Sequence, residues 1–395
     1  MKVAATSPLR LAAWCSYDWG NSAFPAIILS YAFAPYFTEH VAPDTLIGTA
    51  LWGKAMTWSA LAIAVLSPVA GALCDKAGAR KRWLAACSTL AIVATASLWL
   101  VEPMPRDIAG ALILIGVANV GFELAYVFYN AMLPDLVPES LLGRASGWGW
   151  GAGYMGSLVC MAIAWFILIR EQAVVHLARE QFEHLRATAP FAAAWFAIFI
   201  LPLFLFVPDR PRSALALGRV IHDGLGEVAD TFKTLRRHSQ VGWYLLAHMI
   251  YMDGLNTLFI FGPIFAAGTF SMDESEIVLF GIGMFLSAGI GSTLFAWVDD
   301  WLGSRRVVSL SLVALSVLSI GALLADNKEV FRWLAFTLAL FVGPVRALFP
   351  CGAGDRATRP AVRRMGHLGS RHSARRHGHH RRIAGARLCR ASQGP

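Results

Sequence analysis

Charge is what this sequence has least of: Asp, Glu, Lys and Arg together fill 15% of its 395 positions, where a soluble domain carries about a quarter. With 56% of residues hydrophobic, too little polar material remains to cover a water-facing surface, which excludes a soluble globular fold. Cysteine is sparse and scattered, at Cys15, Cys74, Cys87, Cys160, Cys351 and Cys389. With no CxxC or other ligand spacing, no metal site is expected. The ATP-binding Walker pattern is absent, as are HExxH and any Ser/His/Asp arrangement within the apolar runs. Neither an enzyme, nor an ATP-driven pump, nor a bound cofactor is expected.

Long apolar runs are what the chain has instead. Ten of them, residues 14–37, 50–73, 83–101, 108–133, 145–169, 190–207, 241–266, 277–298, 307–325 and 331–345, approach or exceed the length needed to cross a ~30 Å hydrocarbon core at ~1.5 Å per residue. The first imitates a signal peptide, with Lys2 and Arg10 ahead of it and Ala32-Phe33-Ala34 as a cleavage-like site. Asp18 and Asn21 nevertheless interrupt the apolar core that such a peptide needs. With the N-terminus inside, the inner segments carry fifteen Lys and Arg and the outer loops six. Cytoplasmic loops collect cations, so a cytoplasmic N-terminus in a bacterial inner membrane is expected. The longest polar connection, 208–240, then lies in the cytoplasm and divides a six-helix half, 1–207, from a partial second half, 241–345.

The halves echo each other. The second run ends in Asp75-Lys76-Ala77-Gly78-Ala79-Arg80 and the eighth in Asp300-Trp301-Leu302-Gly303-Ser304-Arg305, both D-x-x-G-x-R. An acid at the membrane edge, a glycine free to take positive φ and cations held in the cytoplasm make a tight turn whose charges can bond other helices. One copy reads as an ordinary basic loop, but two at matching rank point beyond that. Asp18-Trp19-Gly20-Asn21-Ser22 in the first run likewise matches Asp253-Gly254-Leu255-Asn256-Thr257 in the seventh, as D-x-x-N-[ST]. The i, i+3, i+4 spacing puts carboxylate, amide and hydroxyl on one helix face, and paired repeats of this kind build secondary transporters.

The loop DKAGARKR resembles the signature loop of the major facilitator superfamily. YDWGNSAF, VFYNAMLPDLVPE, GRASGWGWGAGYMG and YMDGLNT, in that order, resemble its unknown major facilitator branch, which includes the autophagy-related vacuolar effluxers. The resemblance covers residues 14–343 or so. It implies an all-α fold of twelve helices, alternating access and, for the vacuolar relatives, amino-acid efflux. It also implies that the first D-x-x-G-x-R loop contacts an eleventh helix when the inner gate is shut, and that the second contacts the fifth, near 143–148.

Within the spans, Asn119, Glu123, Tyr126 and Asn130 fall at steps of four, three and four and form a polar stripe on an apolar rod. A charge at the bilayer centre costs at least ~2.5 to 3.5 kcal/mol, so the stripe faces a cavity or a partner. Counting ~1.5 Å per residue puts Asp253 about 18 Å deep and Glu123 about 15 Å deep, both near the midplane, with Asp18 shallower. Asp18, Asn21, Glu123, Asn130, Asp253 and Asn256 are therefore the candidate substrate and proton-coupling residues, with Asp253 and Glu123 expected to line one cavity. Asp18 and Asp253 could alternatively fix packing against a neighbouring helix, and Glu123 could pair with Lys54, the cation placed well inside a span. Trp14, Trp52, Trp58, Trp83 and Trp99 fall mostly near span ends and read as interface anchors. Gly147, Gly149, Gly151, Gly153 and Gly156 read as a close-packing surface.

From Arg346 on, the sequence has twelve Arg, five His, one acid and no Lys, a charge of +11 against −2 for residues 1–345. No run there can span a membrane. An Arg-rich tail suits anionic lipid or nucleic acid, His377, His379 and His380 suit a metal, and a disordered extension is also compatible. The abrupt end of the resemblance favours out-of-frame translation of a GC-rich gene. On that reading 346–395 is not part of the fold, Asp75 and Arg80 have lost their partners, and the chain is a poor or inactive transporter. The expected function is secondary transport of a small polar solute, possible substrates including amino acids, by a monomer in the lipid bilayer without nucleic acid. The rival is a non-transporting membrane protein or an inactive remnant.

Overall fold

The computed structural model describes residues 7–74, 78–138, 141–209, 239–302 and 304–352, besides the isolated Gly218 and Gly226. Among them are ten long helices: α1 (Pro8–Asn21), α2 (Thr45–Ala72), α3 (Arg80–Ser97), α4 (Ile108–Asn130), α5 (Leu142–Ala164), α6 (Thr188–Phe206), α7 (Ser239–Phe270), α8 (Glu274–Leu302), α9 (Ser304–Leu323) and α10 (Lys328–Gly352). Each coincides with one of the ten apolar runs. Eight helical stretches are long and apolar enough to cross a membrane; α1 and α10 lie outside that set. The first rod is broken up, because α1 passes into widened turns, Phe24–Tyr31 and Phe37–Val41, around Phe33–Tyr36. Pro25 and Pro35 withhold backbone N–H groups within this stretch, which loosens the ladder. α10 runs to Gly352, seven residues past the boundary set at 345 by hydropathy. Residues 353–395, the bulk of the Arg/His-rich segment, lie outside the described residues.

Polar residues at the helix ends fix where the rods begin. Asp44 caps α2 by accepting from the Ile47 N–H at 2.8 Å. Asp273 and Glu276 form a reciprocal box at the start of α8, the Asp273 carboxylate accepting from the Glu276 N–H at 2.7 Å and the Glu276 carboxylate from the Asp273 N–H at 3.2 Å. α3 is entered through two left-handed residues, Gly78 (φ 65°) and Ala79 (φ 50°). The glycine of the first D-x-x-G-x-R turn thus takes the conformation that its lack of a Cβ allows.

Apolar residues cover the outside. Leu310, Val313, Val317 and Ile320 make an exposed stripe down α9, and Trp58, Leu61 and Val65 another on α2. In water such stripes would be a liability; against acyl chains they are at home. The chain is a multi-pass integral membrane protein.

Packing repeats between the halves. In the first, α3 and α2 both pack on α4; in the second, α9 and α8 both pack on α10. α1 is enclosed by α5 and α6, and the halves meet where α8 packs on α5 and α7 on the widened turn of α1. The glycines of α5 divide in two. A Cβ at Gly149 would lie 2.7 Å from Asp18 Oδ2, and one at Gly156 would run into the Trp19 backbone, whereas Gly147 and Gly151 meet nothing within 4 Å. The close-packing surface read from the sequence is thus one face, Gly149, Gly153 and Gly156, laid on α1. Gly156→Ala is expected to lower thermal stability by the upper end of ~1 to 3 kcal/mol, because the obstacle is backbone and cannot rotate away. Gly151→Ala is expected to match or raise it by up to ~1 kcal/mol through helix propensity. Thermal unfolding in detergent checks both.

The matching motifs have unequal surroundings. Asp18 and Asn21 on α1 are buried, while Asp253, Gly254, Asn256 and Thr257 on α7 are exposed. α1 has two helices laid across it, and α7 has no comparable cover among the described residues.

Candidate functional site

The densest polar arrangement inside the bundle joins α1 to α4. Tyr129 donates its hydroxyl to Asp18 Oδ2 at 2.8 Å. Its ring stacks on Trp14 and on Tyr17, each at 4.4 Å between centroids and at 8° and 18° between planes. Trp14 also donates its indole N–H to the Tyr129 carbonyl at 3.3 Å. The stacking locks the tyrosine so that its hydroxyl has one place to go. Asp18 is 7% exposed, and among the described residues it forms no ion pair. A carboxylate without a cation in this setting is expensive to keep charged, so this group can be switched by a proton or by an approaching cation.

One turn further, Asn21 is buried and its Oδ1 has no hydrogen-bond partner among the described residues. Ser22 turns to the Trp19 carbonyl at 3.1 Å, so it does not join Asp18 and Asn21 as the motif spacing suggests. The α4 stripe opens gradually: Asn119 donates to Ser59 Oγ at 2.9 Å, Glu123 and Tyr126 are half-buried, and Asn130 is exposed. Among the described residues Glu123 has neither a hydrogen bond nor an ion pair, and Lys54 is exposed on α2. The Glu123–Lys54 pairing left open by the sequence is not formed. Asp253 and Asn256 stand on α7 in the other half, where the Asp253 carbonyl accepts from Thr257 Oγ1 at 2.9 Å.

An aromatic string that the sequence did not reveal crosses between the halves beside this stripe. Tyr126 meets Trp150 at 6.5 Å, Trp150 meets Tyr154 at 6.2 Å, and Tyr154 meets Phe285 of α8 at 6.4 Å. Phe285 in turn meets Phe259 of α7 at 6.4 Å. The Tyr154 hydroxyl is buried without a partner among the described residues. Trp14 and Trp52, read as interface anchors, are 2% and 0% exposed. They are core residues, because aromatic partners, Tyr129 stacked on Trp14 and Phe37 tilted against Trp52, wait for them inside the bundle.

At the α3 end, Arg80 corrects a second expectation. Its guanidinium is buried and donates to the Cys74 carbonyl at 3.0 Å, to Asp135 Oδ2 at 2.8 Å and to the Ala131 carbonyl. The Arg80 partner is therefore the acid that follows α4, not a residue of an eleventh helix. Lys81 adds a bond from Nζ to the Phe204 carbonyl at 2.9 Å. Asp75 and Gly303 lie outside the described residues, as do the side chains of Asp300 and Arg305. No group of three or more metal-ligating side chains occurs among the described residues.

The fold has known counterparts. It superposes on the partially occluded inward-open xylose transporter XylE from E. coli with a TM-score of 0.62 over 87% of this chain and 86% of that one, at 13% identity. A bacterial homologue of the human lysosomal transporter Spinster aligns with a TM-score of 0.60 over 87% of this chain and 75% of that chain, at 16% identity. In sequence, the chain is 24% identical over 343 residues to an uncharacterized MFS-type transporter, YxiO, of Bacillus subtilis (strain 168), covering 85% of this chain and 78% of that protein. Two repeated helical halves with lipid-facing apolar stripes define a major facilitator transporter, a class that works by alternating access. Residues 55–348 match the family described as vacuole effluxer Atg22 like, and the chain belongs to that family.

Proposed function

We propose that this transporter moves a small polar solute, amino acids among the candidates, by gradient-driven exchange of access between the two faces of a bacterial inner membrane. The solute and the coupling proton use Asp18, Asn21, Glu123 and Asn130 from the first half and Asp253 and Asn256 from the second. Asp75, Gly78, Arg80, Asp300, Gly303 and Arg305 shape the inner gates, and the chain works as a monomer. The observation that carries this reading is Glu123, which has no hydrogen bond or ion pair among the described residues, on a stripe that opens toward exposed Asn130, the residue next to Tyr129 of the Asp18–Tyr129 bond. Polar groups of this kind inside a membrane are retained where they serve a path. The Tyr126–Trp150–Tyr154–Phe285 string gives that path an aromatic wall reaching both halves.

The test is uptake and efflux in proteoliposomes, with a panel of amino acids, sugars and nucleosides under an imposed pH gradient. Flux of one class that rises with the gradient in the parent and is lost in Glu123→Gln and Asp253→Asn supports the reading. Gradient dependence unchanged in both variants removes these acids from coupling, and no flux of any solute favours a non-transporting protein.

A further inference from the structure

We propose that Glu39, His40, His184 and Glu274 form a proton-binding latch that joins the two halves at one end of the bundle and tightens as the pH falls. The inference rests on the alternating-access reading above, since a latch between halves matters only if they separate. Glu39 and His40 end the first rod beyond its membrane span, and His184 sits in the short turn Glu183–Arg186 that leads into α6. Glu274 opens α8, in the second half. His184 Nε2 lies 3.1 Å from Glu274 Oε2, and His40 Nε2 lies 3.9 Å from Glu274 Oε1. One carboxylate of the second half thus stands between two imidazoles of the first. Beside it, Trp165, just past the end of α5, donates its indole N–H to Ser275 Oγ at 2.6 Å, a second bridge between the halves.

The two histidines play different parts. His184 is 3% exposed, and its Nδ1 has no partner among the described residues. Nε2 carries the contact to Glu274, and a ring protonated there donates to the carboxylate. His184 is therefore the standing contact. His40 is too far from Glu274 for a hydrogen bond and attracts it only as an imidazolium. Burial holds His40 below the usual imidazole range, Glu274 pulls it back up and His184 pushes it down. Burial first, and then the Glu274 charge, push Glu39 up to about 7.

The other charges around this point are committed. Arg179, which faces Glu274, donates to the Ile169 and Arg170 carbonyls. Arg186 donates to the Trp99 carbonyl, Glu183 accepts from the Ala178 N–H, and Arg170 lies over the Phe166 ring. Glu276 is held by Lys328 at 2.6 Å with Arg332 at 3.8 Å. Arg332 also pairs with Glu329, and Asp273 serves the start of α8. Glu39 and His40 remain free to titrate. Lowering the pH protonates Glu39 and removes its repulsion of Glu274, and protonates His40 and adds an attraction. Both changes pull the halves together, and raising the pH reverses both.

The test places spin labels at Leu46→Cys on α2 and Val330→Cys on α10, both exposed positions at this end of the bundle, in the full chain with its native cysteines replaced. Electron–electron distances are measured in lipid nanodiscs at pH 5.5 and pH 8. The parent is expected to show one short distance at pH 5.5 and a second, longer population at pH 8. Glu39→Gln with His40→Ala is expected to give the same distribution at both values, and His184→Ala the longer population at both. A parent distribution that does not change with pH, or a pH response that survives in the double variant, overturns the latch. A parent that responds as expected yet moves no solute in proteoliposomes keeps the latch and removes the transport reading, so the two failures are distinguishable.

Discussion

Replacing Arg80 with alanine is expected to destabilise the folded protein by about 2 to 3 kcal/mol. The guanidinium side chain is 5% exposed and spans three acceptors, the Cys74 and Ala131 carbonyls and the Asp135 carboxylate. Truncation removes the guanidinium from all three acceptors at once. Breaking a fully buried ion pair from one side costs ~3 to 5 kcal/mol, and the 36% exposure of the Asp135 side chain lowers that figure, because water can reach the carboxylate. Arg80→Lys is expected to recover only part of the loss. An ammonium keeps the charge but cannot present the planar fork that reaches Cys74 through Nε while bonding Asp135 through Nη1. Thermal unfolding in detergent separates the outcomes, and an Arg80→Ala protein as stable as the parent would mean that the bonds drawn around Arg80 are not made.

Asp18→Asn is expected to leave the fold intact and to lower gradient-driven flux about tenfold or more. The amide fills the same volume, and its oxygen can still accept from Tyr129, so the stacked Trp14–Tyr129–Tyr17 group keeps its geometry. A site that exchanged a proton between charged and neutral forms loses that exchange. Losing one charge-assisted bond in favour of a neutral one costs on the order of 1.4 kcal/mol, or about tenfold. Tyr129→Phe tests the same bond from the other side. It removes the donor at 2.8 Å and leaves a buried carboxylate with no other side-chain donor among the described residues, so its effect should exceed that of Asp18→Asn on stability. If Asp18→Asn transports at the parent rate under every gradient, Asp18 is a packing residue.

Patterns with a strict period were legible in the sequence. The long helices of the described residues follow the apolar runs, eight of them long and apolar enough to cross a membrane, and the pairing of α3 on α4 with α9 on α10 follows the repeated motifs. The left-handed Gly78 was written into D-x-x-G-x-R. What periodicity does not carry is the identity of a distant partner. The position of Arg80 marks a membrane edge but says nothing of Asp135, which lies 55 residues away. Trp14 has the position of an interface anchor, and only the fold reveals Tyr129, 115 residues on, beneath its ring. Nor does a repeated motif guarantee a repeated environment: Asp18 and Asp253 share a pattern, but burial depends on which helices lie across each, and that is tertiary information.

The central claim is that the face of α4 carrying Glu123, Tyr126 and Asn130 lines an aqueous path open toward the end of the bundle where Arg80 sits. Single cysteines at these three positions, in a chain with its native cysteines replaced, can be challenged from each side of oriented vesicles with a charged, membrane-impermeant thiol reagent. The account predicts modification from the Arg80 side, fastest at Asn130→Cys and slowing through Tyr126→Cys to Glu123→Cys, while Val117→Cys, exposed on the apolar face of the same helix, stays unmodified. Equal rates at Val117→Cys and Glu123→Cys, or no reaction at any of the three polar positions from either side, would contradict it.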